Sequence, residues 1–167
     1  MDTTVTTDET VFSDPLDTLE IMARRADMDT QRVDENELHI NLTGSWRDVG
    51  IWVSWRAEAQ VLQIAAPLEM RVPAARELEV LRLIVAVNER LWLGHFDLIE
   101  HERNVVYRNG AVLPEGQGME DGQADIVLRA ALDAFERFYP AFNYVVWGEK
   151  TASEALEAAI CEVAGSA

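Results

Sequence analysis

The sequence predicts an α+β domain: a five-stranded antiparallel sheet with helices packed chiefly on one face. Three observations predict it. Apolar and polar residues alternate at Leu38, Ile40 and Leu42 and again at Val49, Ile51, Val53 and Trp55, the period of strands with one buried side. The turns between the first three such runs are short, and short turns join antiparallel neighbours. At 78–92 and 128–142 the apolar residues instead recur at spacings of three and four, the period of helices with one buried stripe.

Each element follows from local patterning. Residues 1–12 are polar and acidic, too poor in apolar surface to offset ordering entropy, so they are expected to form a loose tail ahead of one domain over residues 13–167. Ser13 or Asp14 can cap a helix, Pro15 suits its first turn, and Leu16, Leu19, Ala23 and Ala26 continue it to about Met28. Strands are expected over residues 38–42, 49–55 and 61–66. Pro67 and Pro73 bracket a connection to the central helix, whose stripe of Leu78, Leu81, Ile84, Val85, Asn88, Leu91 and Trp92 is expected to bury Leu81, Ile84, Val85 and Leu91. Gly94 stops that helix, residues 95–100 and 105–109 read as two further strands, and the Gly- and Glu-rich stretch 113–122 as a loop. Leu128, Ala131, Leu132, Phe135, Phe138, Tyr139 and Phe142 mark the clearest helix, which Pro140 is expected to kink or end. Thr151 with Glu154 forms a capping box, and Leu156, Ala159, Ile160 and Val163 carry the last stripe. The order is α-β-β-β-α-β-β-α-α.

At 167 residues and 49% hydrophobic, the chain can bury one sizeable core. Its 30 acidic and 14 basic residues give a net charge of −16, a field that repels phosphate backbones, so no nucleic-acid partner is expected. The single cysteine, Cys161, excludes an internal disulfide and every multi-cysteine metal pattern, and it fits a reducing compartment. With neither a basic-then-apolar leader nor a run approaching the ~20 apolar residues of a membrane span, the expected location is the cytoplasm, with no membrane association.

Motifs for chemistry are absent. His95, Asp97 and His101 would share one face of a strand, but the two imidazoles stand about 20 Å apart along it, so no metal is expected. His39 lies on another strand. Cys161 adjoins the stripe of the last helix, where a cysteine is expected as a small buried apolar residue. The serines lack a nucleophile elbow, and Gly116, Gly118 and Gly122 are crowded by Glu115, Glu120 and Asp121, an unsuitable cradle for phosphate. No catalytic residue and no cofactor is therefore expected, and the chain reads as a non-enzyme. The tryptophans are more suggestive. Trp52 falls on the strand side shared with Gly50, Ser54 and Arg56, an apolar exception on a polar face, and Trp46 sits in the first hairpin turn; both are candidate protein-interaction residues.

Two stretches carry a resemblance: Gly94-His-Phe-Asp-Leu98, and Glu136-Arg-Phe-Tyr-Pro-Ala-Phe-Asn-Tyr-Val-Val-Trp-Gly148. With these the chain resembles the YbjN-domain proteins of bacteria, described as putative sensory transduction regulators with a type III secretion chaperone-like fold. The resemblance implies a non-enzymatic protein-interaction or regulatory module, in which Gly94 to Leu98 marks the fold and performs no catalysis. It also implies a protein partner or a second copy of the chain in a homodimer. Two other readings stand beside it: a secretion-chaperone-like binder of a client segment, and a small-ligand sensor or enzyme using the His95/Asp97 sheet face.

Overall fold

The computed structural model of the protein describes residues 14–165, so the expected tail at 1–12 and the candidate cap Ser13 lie outside the described residues. The chain runs α1 (Pro15–Arg25), β1 (Asp29–Asp34), β2 (Glu37–Leu42), β3 (Val49–Arg56), β4 (Val61–Arg71), α2 (Glu77–Asn88), β5 (His95–Ile99), β6 (Asn104–Val112), α3 (Asp121–Val146) and α4 (Ala152–Gly165). The strands form one antiparallel sheet in the order β1-β2-β3-β4-β6-β5. The architecture is the expected α+β one, but the sheet has six strands where five were expected. The extra strand is β1. Its sequence, Asp-Thr-Gln-Arg-Val-Asp, has no apolar alternation because it is an edge strand that buries neither face, and its charges are those that protect an edge.

Leu38, Ile40, Val53, Ile51, Leu62, Ile64, Leu68, Phe96, Val105 and Tyr107 all point to one side of the sheet, where the helices cover them in a continuous core. Asp14 caps α1 through its carboxylate, which accepts from the Leu16 N–H at 2.9 Å, and α1 stops at Arg25 before Asp27 turns the chain with φ +55°. β4 continues through Pro67, which had been read as the start of a connection. Its ladder with β3 stops at Ala65, so Pro67 pairs with β6 alone and its missing N–H breaks no bond to a second neighbour.

One helical expectation is corrected and another is narrowed. On α2 the buried residues are Val80, Leu83, Ile84 and Val87; Ile84 was expected and Leu91 is partly buried, but Leu81 and Val85 face solvent. Apolar residues occupy nearly every azimuth of this helix, so periodicity alone selects the wrong stripe. On α3 one of the two expected outcomes is excluded: the helix runs for 26 residues and does not end at Pro140. Proline has no N–H to give to the carbonyl four residues earlier, that of Glu136. The Trp46 indole N–H donates to that carbonyl at 3.2 Å, while the Glu136 carboxylate accepts from the Ser45 N–H. The β2–β3 loop thus repairs the gap that Pro140 leaves.

The Thr151/Glu154 capping box forms as expected: Thr151 N–H donates to Glu154 at 2.9 Å and Glu154 N–H to the Thr151 hydroxyl at 3.3 Å. α4 buries Ala152, Ala155, Leu156 and Ala159, whereas Ile160 and Cys161 are exposed, against the expectation of burial for both. Small alanines let α4 approach α2 and α3 closely, and a close, narrow contact covers a narrow stripe. The side chain of Val163 lies outside the described residues.

Candidate protein-interaction site

Among the described residues, no helix covers the side of the sheet opposite the core. Register places Gln31, His39, Trp52, Ala65, Arg108 and His95 in one row across all six strands on that side. Trp52, near the middle of the row, is 51% exposed. One face of its indole is stacked by the His39 ring, with centroids 4.5 Å apart and planes 27° from parallel, and His39 Nε2 in turn contacts a Glu37 carboxylate oxygen at 2.8 Å. Half exposure with one face covered means that the other face is free, above the small side chain of Ala65. Beside this pair lies a shallow depression of about 370 Å³, lined by Asp29, Gln31, Asn41, Gly50 and Trp52 among others. The alternation in β3 therefore placed Trp52 on the correct side, and nothing within the described residues covers it.

Trp46, the second candidate, is also half exposed, but its indole N–H is committed to Glu136 and its loop is tied to α3. The next residue, Arg47, pairs with Glu69, and the Tyr139 hydroxyl followed by that carboxylate holds its guanidinium in the charged form. Trp46 and Trp52 are not brought into one site. His95 and Asp97 do share the open face; Asp97 faces Arg108 at 3.5 Å, whereas His101 stands in the turn beyond the strand, beside Glu102. Among the described residues no group of three or more His, Cys, Asp or Glu side chains is placed to hold a metal ion. No helix among them is long and apolar enough to cross a membrane.

One surface escaped sequence reasoning. Leu78, Leu81 and Val85 of α2 and, beyond its end, Trp92 and Leu93 are all exposed. On the flank of α2, a groove of about 690 Å³ runs between it and α4, with Ala86, Leu156, Ile160 and Cys161 among its lining. The signal was present as a surplus of apolar residues on α2 beyond what one buried stripe needs.

The two stretches that carried the resemblance meet in the core. The Asn88 side chain accepts from the Phe96 N–H at 2.8 Å and donates to the Phe96 carbonyl at 3.0 Å, fixing β5 to the end of α2. Gly94, at φ +73°, has no Cβ because one would run into the Tyr107 ring and hydroxyl. That hydroxyl donates to the Leu93 carbonyl at 2.9 Å, and burial pushes its pKa up to about 12. Phe96 packs against Phe138 and Phe142 of α3, centroids 6.2 and 5.1 Å away. A family model, YbjN, with the description "Putative bacterial sensory transduction regulator", matches residues 15–143, a span that includes all of these residues. The chain belongs to the YbjN family. Its fold is similar to the crystal structure of YbjN, "a putative transcription regulator from E. coli", with a TM-score of 0.55 and 15% identity over 75% of this chain and 89% of that one. Comparison with curated proteins finds no match. The residues that carried the resemblance are thus an arrangement in the core: they hold α2, β5, β6 and α3 together.

Proposed function

We propose that this YbjN-family chain is a non-enzymatic, cytoplasmic regulatory module that works by holding a protein partner on the open face of its sheet. The observation that carries the reading is Trp52: a half-exposed indole in the middle of a face that no described helix covers, stacked on one side by His39. A large aromatic that loses its remaining water on contact is the residue type that dominates interface energetics. Holding it in one orientation beforehand lowers the entropy lost on binding. The polar row around it, from Gln31 to His95, supplies the hydrogen-bonding rim of such an interface.

The E. coli relative is called "a putative transcription regulator". Brought to this chain, that role would run through a protein: a net charge of −16 opposes direct contact with a phosphate backbone. The test is affinity purification from the native cell with wild-type and Trp52→Ala chains, followed by hydrogen exchange on the purified complex. The expected result is a partner retained by wild type, lost or weakened at least tenfold by Trp52→Ala, and protecting β2 and β3. A partner held equally by both chains, or turnover of a small molecule by the purified protein, overturns the reading.

A further inference from the structure

We infer that the partner held on the open sheet face meets it with a basic segment, which seats an arginine side chain in the depression beside Trp52, its aliphatic stem along the indole and its guanidinium on Asp29. This chemistry rests on the reading of that face as a partner site and goes beyond it in naming what the partner brings. Register sets Asp29, Asn41 and Gly50 in the row next to Gln31, His39 and Trp52. Gly50 has no side chain to stand in its row, so the surface sinks there into the depression of about 370 Å³ that Asp29, Asn41 and Trp52 all line. That is room enough for one arginine side chain. Among the described residues the Asp29 carboxylate and the Gln31 and Asn41 amides make no side-chain hydrogen bond or ion pair. A second depression, of about 230 Å³, shares Asp29 and Asn41 with the first and adds Asp27 and Asp48, whose carboxylates are likewise without a partner among the described residues.

Charge decides the occupant. An acidic segment meets a chain of net charge −16 and carboxylates that have no counter-ion. An apolar segment strips water from Asp29, Gln31 and Asn41 and returns no hydrogen bond to any of them. A basic segment does neither: it neutralises Asp29 and brings donors to the amide oxygens beside it. The chain does not supply that cation itself, because the nearby arginines are committed elsewhere, Arg32 to Asp14, Asp17 and Glu20 at α1, and Arg47 to Glu69. Arginine suits the site better than lysine. Its guanidinium grips a carboxylate through two parallel N–H groups and keeps further donors for Gln31 or Asn41, it gives up its water more readily than an ammonium, and its methylene stem covers apolar surface such as an indole.

The test is an NMR titration of the full chain with the peptide Thr-Arg-Thr-Arg-Thr-Arg-Thr and with its citrulline counterpart, which keeps the shape of each arginine and lacks the charge. Salt at ~0.15 M, where the Debye length is ~8 Å, suppresses attraction to the net charge alone. The arginine peptide is expected to bind at least about tenfold tighter than the citrulline peptide and to shift the amides of Gln31, Asn41 and Gly50 and the indole N–H of Trp52. Asp29→Lys, which replaces an attraction by a repulsion, should weaken it about tenfold, whereas Glu157→Lys on the exposed side of α4, with the same change in net charge, should weaken it less than about twofold. Gly50→Val fills the depression and should abolish binding while the chain still folds, since a Cβ at position 50 meets only the Asn41 Oδ1, at 3.6 Å. A citrulline peptide that binds as tightly, equal losses in Asp29→Lys and Glu157→Lys, or a Gly50→Val chain that binds as wild type does each overturn the inference, and none of them touches the loss of the native partner in Trp52→Ala. A native partner kept by Trp52→Ala, in a chain that binds the arginine peptide as expected, is the opposite failure: the proposed function falls and the arginine site stands.

Discussion

Trp46 and Trp52 are half exposed to nearly the same degree, and what each indole nitrogen and ring face touches separates them. Trp46 completes a helix. Its N–H takes the place of the one Pro140 cannot offer to the Glu136 carbonyl, across 90 residues of chain. Trp46→Phe should accordingly cost about 0.5–1 kcal/mol, the net worth of such a bond at a partly hydrated site. In a Pro140→Ala background, where the backbone at position 140 regains an N–H to give to Glu136, the same substitution should cost measurably less. Urea midpoints for the two single variants and the double variant give the coupling; strict additivity would show that the indole contributes by packing alone. Sequence made both tryptophans visible as candidates, since a Trp in a turn and a Trp on a polar strand face are both conspicuous. It could not distinguish them, because the missing donor and its replacement are far apart in the chain and meet only in the fold.

At the scale of the element, α2 is where patterning misleads. A helix with leucine, isoleucine or valine at seven positions between 78 and 87 has more apolar faces than one sheet can cover, and the periodicity of the stripe through Leu81 and Val85 is as good as that through Val80 and Leu83. The structure decides by contact with β5, α3 and α4. Leu83→Ala should therefore destabilise the fold by about 2–5 kcal/mol, while Leu81→Ala should stay within about 1 kcal/mol. Both are measured by denaturant unfolding of the full chain, read as the shift in midpoint. Equal losses would mean that Leu81 is covered after all. The strands show the opposite case: β2 and β3 were legible because each buries one face and exposes the other, and β1 was not because it buries neither. The capping box of α4 was legible because it lies within four residues of chain, whereas the bond from the Ala152 N–H to Glu79 at 2.8 Å, which ties α4 to α2, has no local signature.

For the whole molecule, charge and specific pairing pull in opposite directions as pH falls. A net charge of −16 repels itself, so protonating the first solvated carboxylates relieves strain on the compact state. Glu79 is held below the ordinary carboxylate range by the Ala152 N–H and then by Arg82, and Glu154 by the Thr151 N–H and then its hydroxyl. A depressed folded pKa stabilises above the unfolded value, roughly 4.3, and that stabilisation is lost as pH falls through the lower folded value. Thermal midpoints should consequently rise slightly from pH 7 toward ~5 and fall below ~4, with Glu79→Gln losing part of the acid limb and α4 amides exchanging early there. A midpoint that falls steadily from pH 7 would show that repulsion is not the larger effect near neutrality.

The Asn88 amide that grips Phe96 has a consequence for how this sheet can grow. In an antiparallel edge strand only alternate residues turn their N–H and C=O outward, and on five-residue β5 those are Phe96 and Leu98. Asn88 occupies both groups of Phe96, standing where a seventh strand would start. Endless cross-β addition needs two templating edges on each unit, one to accept and one to be accepted. With Phe96 taken, Leu98 alone is left on β5 to bond a further strand, so among the described residues β1 is the edge with the longer run of outward groups, and its charges oppose the stacking of copy on copy that fibrils need.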